Sequence, residues 1–233
     1  INENSVSGET SPSVTSDIIL GQPQETVLEE ADRWGADLIV LGSRGLGGFK
    51  RFLLGSVSTA VATHAHCSVE IARADEAHPV RKSHLKILLA VDGSAGSDAA
   101  VRAVLARPWP EGSTVKVLGA AEPPKPFTTE SWAMPGNYYQ EWEKSLEDQA
   151  RAAVEKASAE FAGTALTVLP EVIKGQARDV ILNEAESWGA DLIVLGSRGL
   201  GGFERLLLGS VSQAVVTHAH CSVKIVRERQ TTD

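Results

Sequence analysis

The chain has 233 residues, 42% hydrophobic and 22% charged, the composition of a globular protein able to bury a core. A formal net charge of −8 and the lack of any long Lys/Arg run speak against nucleic acid or an anionic membrane as partner, so an anion site would be local and built from backbone N–H groups. The longest apolar runs fall short of the roughly 18 residues of a membrane span, no secretory h-region is visible, and two cysteines make no disulfide framework, so a reducing cytoplasm is the expected location.

Residues 1–13 are polar, rich in Ser, Thr and Asn, and read as a flexible end. From Trp34 to Arg73 the chain reads as strand, glycine-rich loop, helix and strand. The same segment recurs at an offset of 154 as Trp188 to Arg227, with no gap and only six of 40 positions changed. This is a tandem duplication. Gly21-Gln22 matches Gly175-Gln176, so the correspondence reaches back to about Val14. Residues 1–75 are therefore read as the C-terminal half of a first unit, 76–83 as a linker, 84–229 as a complete second unit and 230–233 as a tail. The expectation is that upstream residues of the natural protein, not another chain, complete the first unit.

In the second unit, Leu85–Asp92 is a continuous apolar run, the pattern of a strand buried on both faces. Gly93-Ser94 breaks it, and Ser97-Asp98 lead into a helix that stops before Pro108. Ser113–Ala121 is a second strand. Residues 122–136 hold four prolines and read as a loop or flap, with Trp132, Tyr138, Tyr139 and Trp142 either closing over a ligand or packing the next helix. Asn137–Phe161 is an amphipathic helix, Leu166–Ile173 a strand, Gln176–Trp188 a helix closed by Gly189, and Asp191–Gly196 a strand. Gly209–His218 is a helix and Ser222–Arg227 the last strand. This order implies an α/β fold with a mostly parallel sheet and helices on both faces.

Chemistry in such a sheet sits at the carboxyl ends of strands, where the strand order reverses. Two ends carry loop chemistry: Asp92-Gly93-Ser94, and Gly196-Ser197-Arg198-Gly199 followed by Gly209-Ser210. The glycines let backbone turn and approach a ligand, phosphate contacts being the natural use of a helix start. Ser210 and Ser212 hydroxyls and Arg198 can add donors. The first copy repeats the loop as Gly42, Arg44, Gly45, Gly55, Ser56, Val57 and Ser58.

On these residues the second unit, 84–229, resembles the universal stress protein family, and the first copy resembles the C-terminal half of such a domain. Gly196, Gly199, Gly209 and Ser210 match the G-x2-G-x9-G-[ST] spacing of its ATP-binding subgroup, and Asp92 matches the Asp that closes its first strand. The resemblance implies an open five-stranded parallel sheet of order 3-2-1-4-5, Rossmann-like and akin to the adenine nucleotide alpha hydrolases. It implies ATP as ligand, with Mg²⁺ as the accompanying ion. Adenine would lie near Val91, Asp92 and Ala120, and ribose and phosphates on Leu195, Gly196, Arg198, Gly199, Gly209, Ser210, Val211 and Ser212. It also implies self-association through the last strands, residues 68–73 and 222–227. A dimeric, ATP-binding stress-response module follows as the expected function. The alternative is a slow ATPase or adenylyl-transferring enzyme, against which stand the absence of a Walker loop and of an evident general base.

Other clusters have plainer readings. His218-Ala219-His220-Cys221 and its repeat His64–Cys67 lie at helix-to-strand junctions, where a histidine favours the helix C-terminus, so no metal is expected. Antiparallel last strands would hold Cys67 and Cys221 too far apart for a disulfide. Asp37 and Asp191 start strands and read as local structure. The expected role of Asp92 is to orient a ligand, not to act as an acid.

Overall fold

The computed structural model describes residues 13–43, 54–73, 83–123, 136–200 and 208–228. The first copy supplies helix α1 (Pro23–Trp34), strand β1 (Leu38–Gly42), helix α2 (Ser56–His64) and strand β2 (Ser68–Ala72). The second supplies β3 (Lys86–Ala90), α3 (Ala95–Leu105), β4 (Thr114–Ala121), α4 (Gly136–Ala159), β5 (Thr167–Lys174), α5 (Ala177–Trp188), β6 (Leu192–Gly196), α6 (Ser210–His218) and β7 (Ser222–Val226). The proposed linker except Ser83, the tail, Trp132 and most of the N-terminal segment lie outside the described residues.

All seven strands form one sheet in the order β1-β2-β7-β6-β3-β4-β5. Its second-copy part, read from β5 to β7, has the expected order 3-2-1-4-5 with every pair parallel. The strand count differs from five because the first copy extends the same sheet. β2 pairs antiparallel with β7 in the register Val69↔Ile225, Glu70↔Lys224, Ile71↔Val223, and β1 then pairs parallel with β2. The last strands of the two copies thus join within one chain. Both are interior strands of this sheet, so neither offers an edge to a second chain.

The sheet is packed on both faces, as its apolar strands require. Leu88, Ile193, Val223 and Ile225 anchor one layer, under α5 and α6. Ile87, Leu89, Val115 and Val194 anchor the other, against α3 and α4. Burying each such side chain contributes roughly 1.5–3 kcal/mol. Helices α1 and α5 both end on a left-handed glycine, Gly35 (φ 69°) and Gly189 (φ 70°), which L-residues with side chains avoid.

The two copies differ where β3 and α3 have no counterpart. Leu192 and Val194 on β6 are 5% and 1% exposed; their repeats Leu38 and Val40 on β1 are 37% and 58% exposed. Residues 13–20, the repeat of β5, form no strand, and Ile18 and Leu20 lie almost fully exposed. A third strand is of no use there without a second beside it to receive its hydrogen bonds.

Candidate functional site

A crevice of about 540 Å³ opens at the carboxyl ends of β3, β4 and β6. This is the switch point, where the chain order turns from β3-β4-β5 on one side to β6-β7 on the other. Its size falls among small-molecule sites, roughly 300–1,000 Å³. Val91, Asp92, Ala120, Leu195, Gly196, Arg198, Gly199, Gly209, Ser210, Val211 and Ser212 all line it. So do residues that the sequence reading passed over, among them Ser97, Leu118, Glu122, Ala177, Ile181 and Leu208. Glu122 would have been hard to single out; its carboxylate accepts the Ala177 N–H (2.9 Å) at the start of α5.

The glycines work by close approach. A Cβ on Gly196 would stand 2.6 Å from the carbonyl carbon of Gly96 on α3, and one on Gly96 would strike the carbonyl oxygen of Arg198. A Cβ on Gly199 would strike Asp92 Oδ2. One on Gly209 would stand 3.2 Å from the Ser197 carbonyl oxygen. None of these glycines is among those with positive φ. What demands glycine at Gly199 and Gly209 is the space, in keeping with the expected close approach of backbone, and not a left-handed conformation. Gly96 was missed because its partner lies about a hundred residues on. Its one signal is a glycine in the first turn of a helix, where alanine would be worth about 1 kcal/mol more.

Asp92 is exposed and ties two loops together. Its Oδ1 accepts the Ser94 N–H (3.0 Å) and hydroxyl (2.5 Å), and its Oδ2 accepts the Leu200 N–H (3.0 Å). Ser94 in turn caps α3 by accepting the Ser97 N–H (3.2 Å). The helix therefore begins at Ala95, ahead of the Ser97-Asp98 lead-in expected from the sequence.

Helix α6 begins differently. Its cap is Gly209, which has no side chain to give, and its backbone ladder starts only with the Gln213 N–H on the Gly209 carbonyl (2.8 Å). The N–H groups of Ser210, Val211 and Ser212 precede that bond and stand at the crevice. The Ser210 hydroxyl is exposed, but Ser212 is 4% exposed and its hydroxyl donates to the Gly196 carbonyl (2.8 Å). The Ser212 proton holds helix to strand and is not offered to a ligand.

The first copy keeps part of this geometry. Gly42 ends β1, Gly55 caps α2, Ser56 and Val57 open it, and Ser58 donates to the Gly42 carbonyl (2.8 Å) as Ser212 does in the repeat. Arg44 and Gly45 lie outside the described residues. None of the described first-copy residues borders the crevice, and among the described residues no strand stands where β3 would.

The remaining clusters are structural. The Nδ1 atoms of His64 and His218 donate to the Ala60 and Ala214 carbonyls (2.9 Å each), one turn back. His66 meets Asp32 at 3.1 Å. No group of three His, Cys, Asp or Glu side chains is placed to hold a metal among the described residues. Cys67 and Cys221 are buried free thiols, and burial pushes Cys221 up to about 12. Asp191 does hold structure, accepting the Lys86 N–H (2.8 Å). No described helix is long and apolar enough to cross a membrane.

Known proteins resemble this chain in sequence and fold. The model of the universal stress protein family matches residues 2–73 and 84–227. The universal stress protein Rv2005c of Mycobacterium tuberculosis is 30% identical over 220 residues, which span 93% of this chain and 70% of that protein. Among solved structures, a universal stress protein of Archaeoglobus fulgidus superposes with a TM-score of 0.58 at 24% identity, over 93% of this chain and 70% of that one. The universal stress protein UspA of Lactobacillus plantarum superposes with a TM-score of 0.51 at 24% identity, over 63% of this chain and all of its own. These two likenesses speak for the fold alone. With the family model matching both copies, the chain belongs to the universal stress protein family.

Proposed function

We propose that the second copy binds ATP and acts as a nucleotide-dependent regulatory module. The observation that carries this reading is the start of α6: three backbone N–H groups ahead of the helical ladder, beside glycines that leave no room for a side chain. Such a start suits a phosphate by hydrogen bonding and by the helix dipole. Arg198 lines the same wall and supplies a cation. The other end of the crevice fits a base. Val91 lines the crevice with its N–H bonded to the Leu118 carbonyl (2.9 Å), and in this reading its own carbonyl would accept an adenine amino proton. Guanine presents an oxygen there instead. Mg²⁺, where present, would travel with the phosphates.

Output then follows from unequal affinity of two states for the nucleotide. Hydrolysis or adenylyl transfer is the weaker reading. Asp92 has both carboxylate oxygens engaged by Ser94 and Leu200, so it is poorly placed to activate a nucleophile. Calorimetric titration tests the proposal: ATP binds, and GTP binds at least about tenfold more weakly. Equal affinity for the two, or no binding of either, would count against it. In a single-turnover assay the nucleotide should stay intact over minutes. Rapid conversion lost in Asp92→Ala would instead make the protein an enzyme.

A further inference from the structure

Beside the β2–β7 ladder, the two copies make a reciprocal arginine contact. Arg73, the last described residue after β2, sends Nη2 to the carbonyls of Val216 (2.8 Å) and Thr217 (3.5 Å) in the last turn of α6. Its backbone N–H donates to the Ser222 hydroxyl (3.1 Å). Arg227 does the same to α2, through the carbonyls of Ala62 (2.6 Å) and Thr63 (3.2 Å), with its N–H on the Ser68 hydroxyl (3.2 Å). Every atom pair is related by the 154-residue repeat. Each copy thus closes the C-terminus of the other copy's loop-following helix.

We infer that Arg73, a first-copy residue, is a positioning residue for the second copy's phosphate site. Helix α6 has nine residues and is about 13 Å long. One end carries the three N–H groups at the crevice; the other carries the carbonyls that Arg73 holds. A cation at a helix C-terminus opposes the helix dipole, and a guanidinium bonded to two carbonyls also fixes the axis. Strand β2 is locked against β7 in register, so Arg73 is delivered from a rigid base. The tilt of α6, and with it the aim of the Ser210, Val211 and Ser212 N–H groups, is set from outside the copy that would bind the ligand. The inference rests on the proposed phosphate role of α6, and it gives the first copy a function in the second copy's site.

The test pairs two readouts on the full chain. By calorimetry, Arg73→Met should lower ATP affinity about tenfold while leaving adenosine affinity unchanged. Arg73→Lys, which keeps the charge but not the fork, should fall between. Glu70→Gln is the control: it removes the Arg107 Nη1–Glu70 Oε2 contact between copies (3.2 Å) without touching α6, and should leave ATP affinity as it was. By hydrogen exchange without ligand, the amides of residues 213–218 should exchange faster in Arg73→Met and not in Glu70→Gln. Equal loss of ATP and adenosine binding would mean general damage and overturn the inference, as would unchanged ATP affinity. If the wild type binds no ATP, the phosphate reading fails, and exchange alone then decides whether Arg73 holds α6. Unchanged exchange in Arg73→Met would overturn that as well.

Discussion

Gly199 and Asp92 touch across the crevice, and a side chain at 199 would have to displace the carboxylate that holds the Leu200 N–H. Gly199→Val should therefore weaken ATP binding by about thirtyfold or more, with the melting temperature nearly unchanged, because position 199 lies on a loop and not in the core. Retained affinity in a folded Gly199→Val protein would contradict the proposed path of the phosphates. A second residue-scale outcome concerns Cys221. Its pKa is pushed by burial from the usual 9 to about 12, so the native state holds this proton more tightly than the unfolded chain does. The resulting stability is complete below pH 9 and is lost as pH rises toward 12. By pH 10.5 the loss should reach roughly 2 kcal/mol, at about 1.4 kcal/mol per pH unit. Denaturant melts of wild type and Cys221→Ala at pH 8 and 10.5 measure it; equal alkaline losses in both would contradict it. The loop glycines were legible because their spacing is local and repeated. Gly96 and the inward turn of the Ser212 hydroxyl were not, because both answer to backbone that only the folded sheet brings near.

At the scale of elements, α5 and β4 meet around Lys116. Lys116 Nζ bonds Glu171 Oε2 (2.8 Å) and Glu184 Oε1 and lies 5.0 Å from the centre of the Trp188 ring. Burial lowers its pKa, but the two glutamates raise it more, and the net shift is upward. Lys116→Met should cost about 3 kcal/mol in a urea melt, since it leaves the half-buried Glu184 without its cation. A loss under about 1 kcal/mol would show that water reaches the pair and screens it. Trp34, the repeat of Trp188, is 78% exposed, since among the described residues the first copy has no counterpart of β3 or β4 to cover it. Element order and type were legible throughout the second copy, because long apolar runs and glycine stops leave few alternatives. Boundaries were less so. The α3 start came earlier than expected because Ser94 and Ser97 are both competent caps, and the choice was made by Asp92 holding Ser94 in place.

Across the whole molecule, the repeat provides its own control. The run DLIVLG occurs in both copies, so its intrinsic exchange chemistry is the same, but β6 is buried between β3 and β7 while β1, among the described residues, has a partner on one side only. Native-state hydrogen exchange should show lower protection for Ile39–Leu41 than for Ile193–Leu195. Equal protection would mean that β1's outer edge is covered in solution. The sequence foresaw that the last strands pair, but not that this pairing makes one continuous sheet; joining depends on how far each copy's own edge is already filled, which no local pattern records. The central claim is that adenine lies in the second copy's crevice. Photolabelling with an azidoadenine analogue of ATP, followed by peptide mapping, tests it most directly. The account predicts label on peptides containing Val91 or Ala120, suppressed by excess ATP. Label confined to peptides of residues 34–73, or label that excess ATP does not suppress, would contradict it.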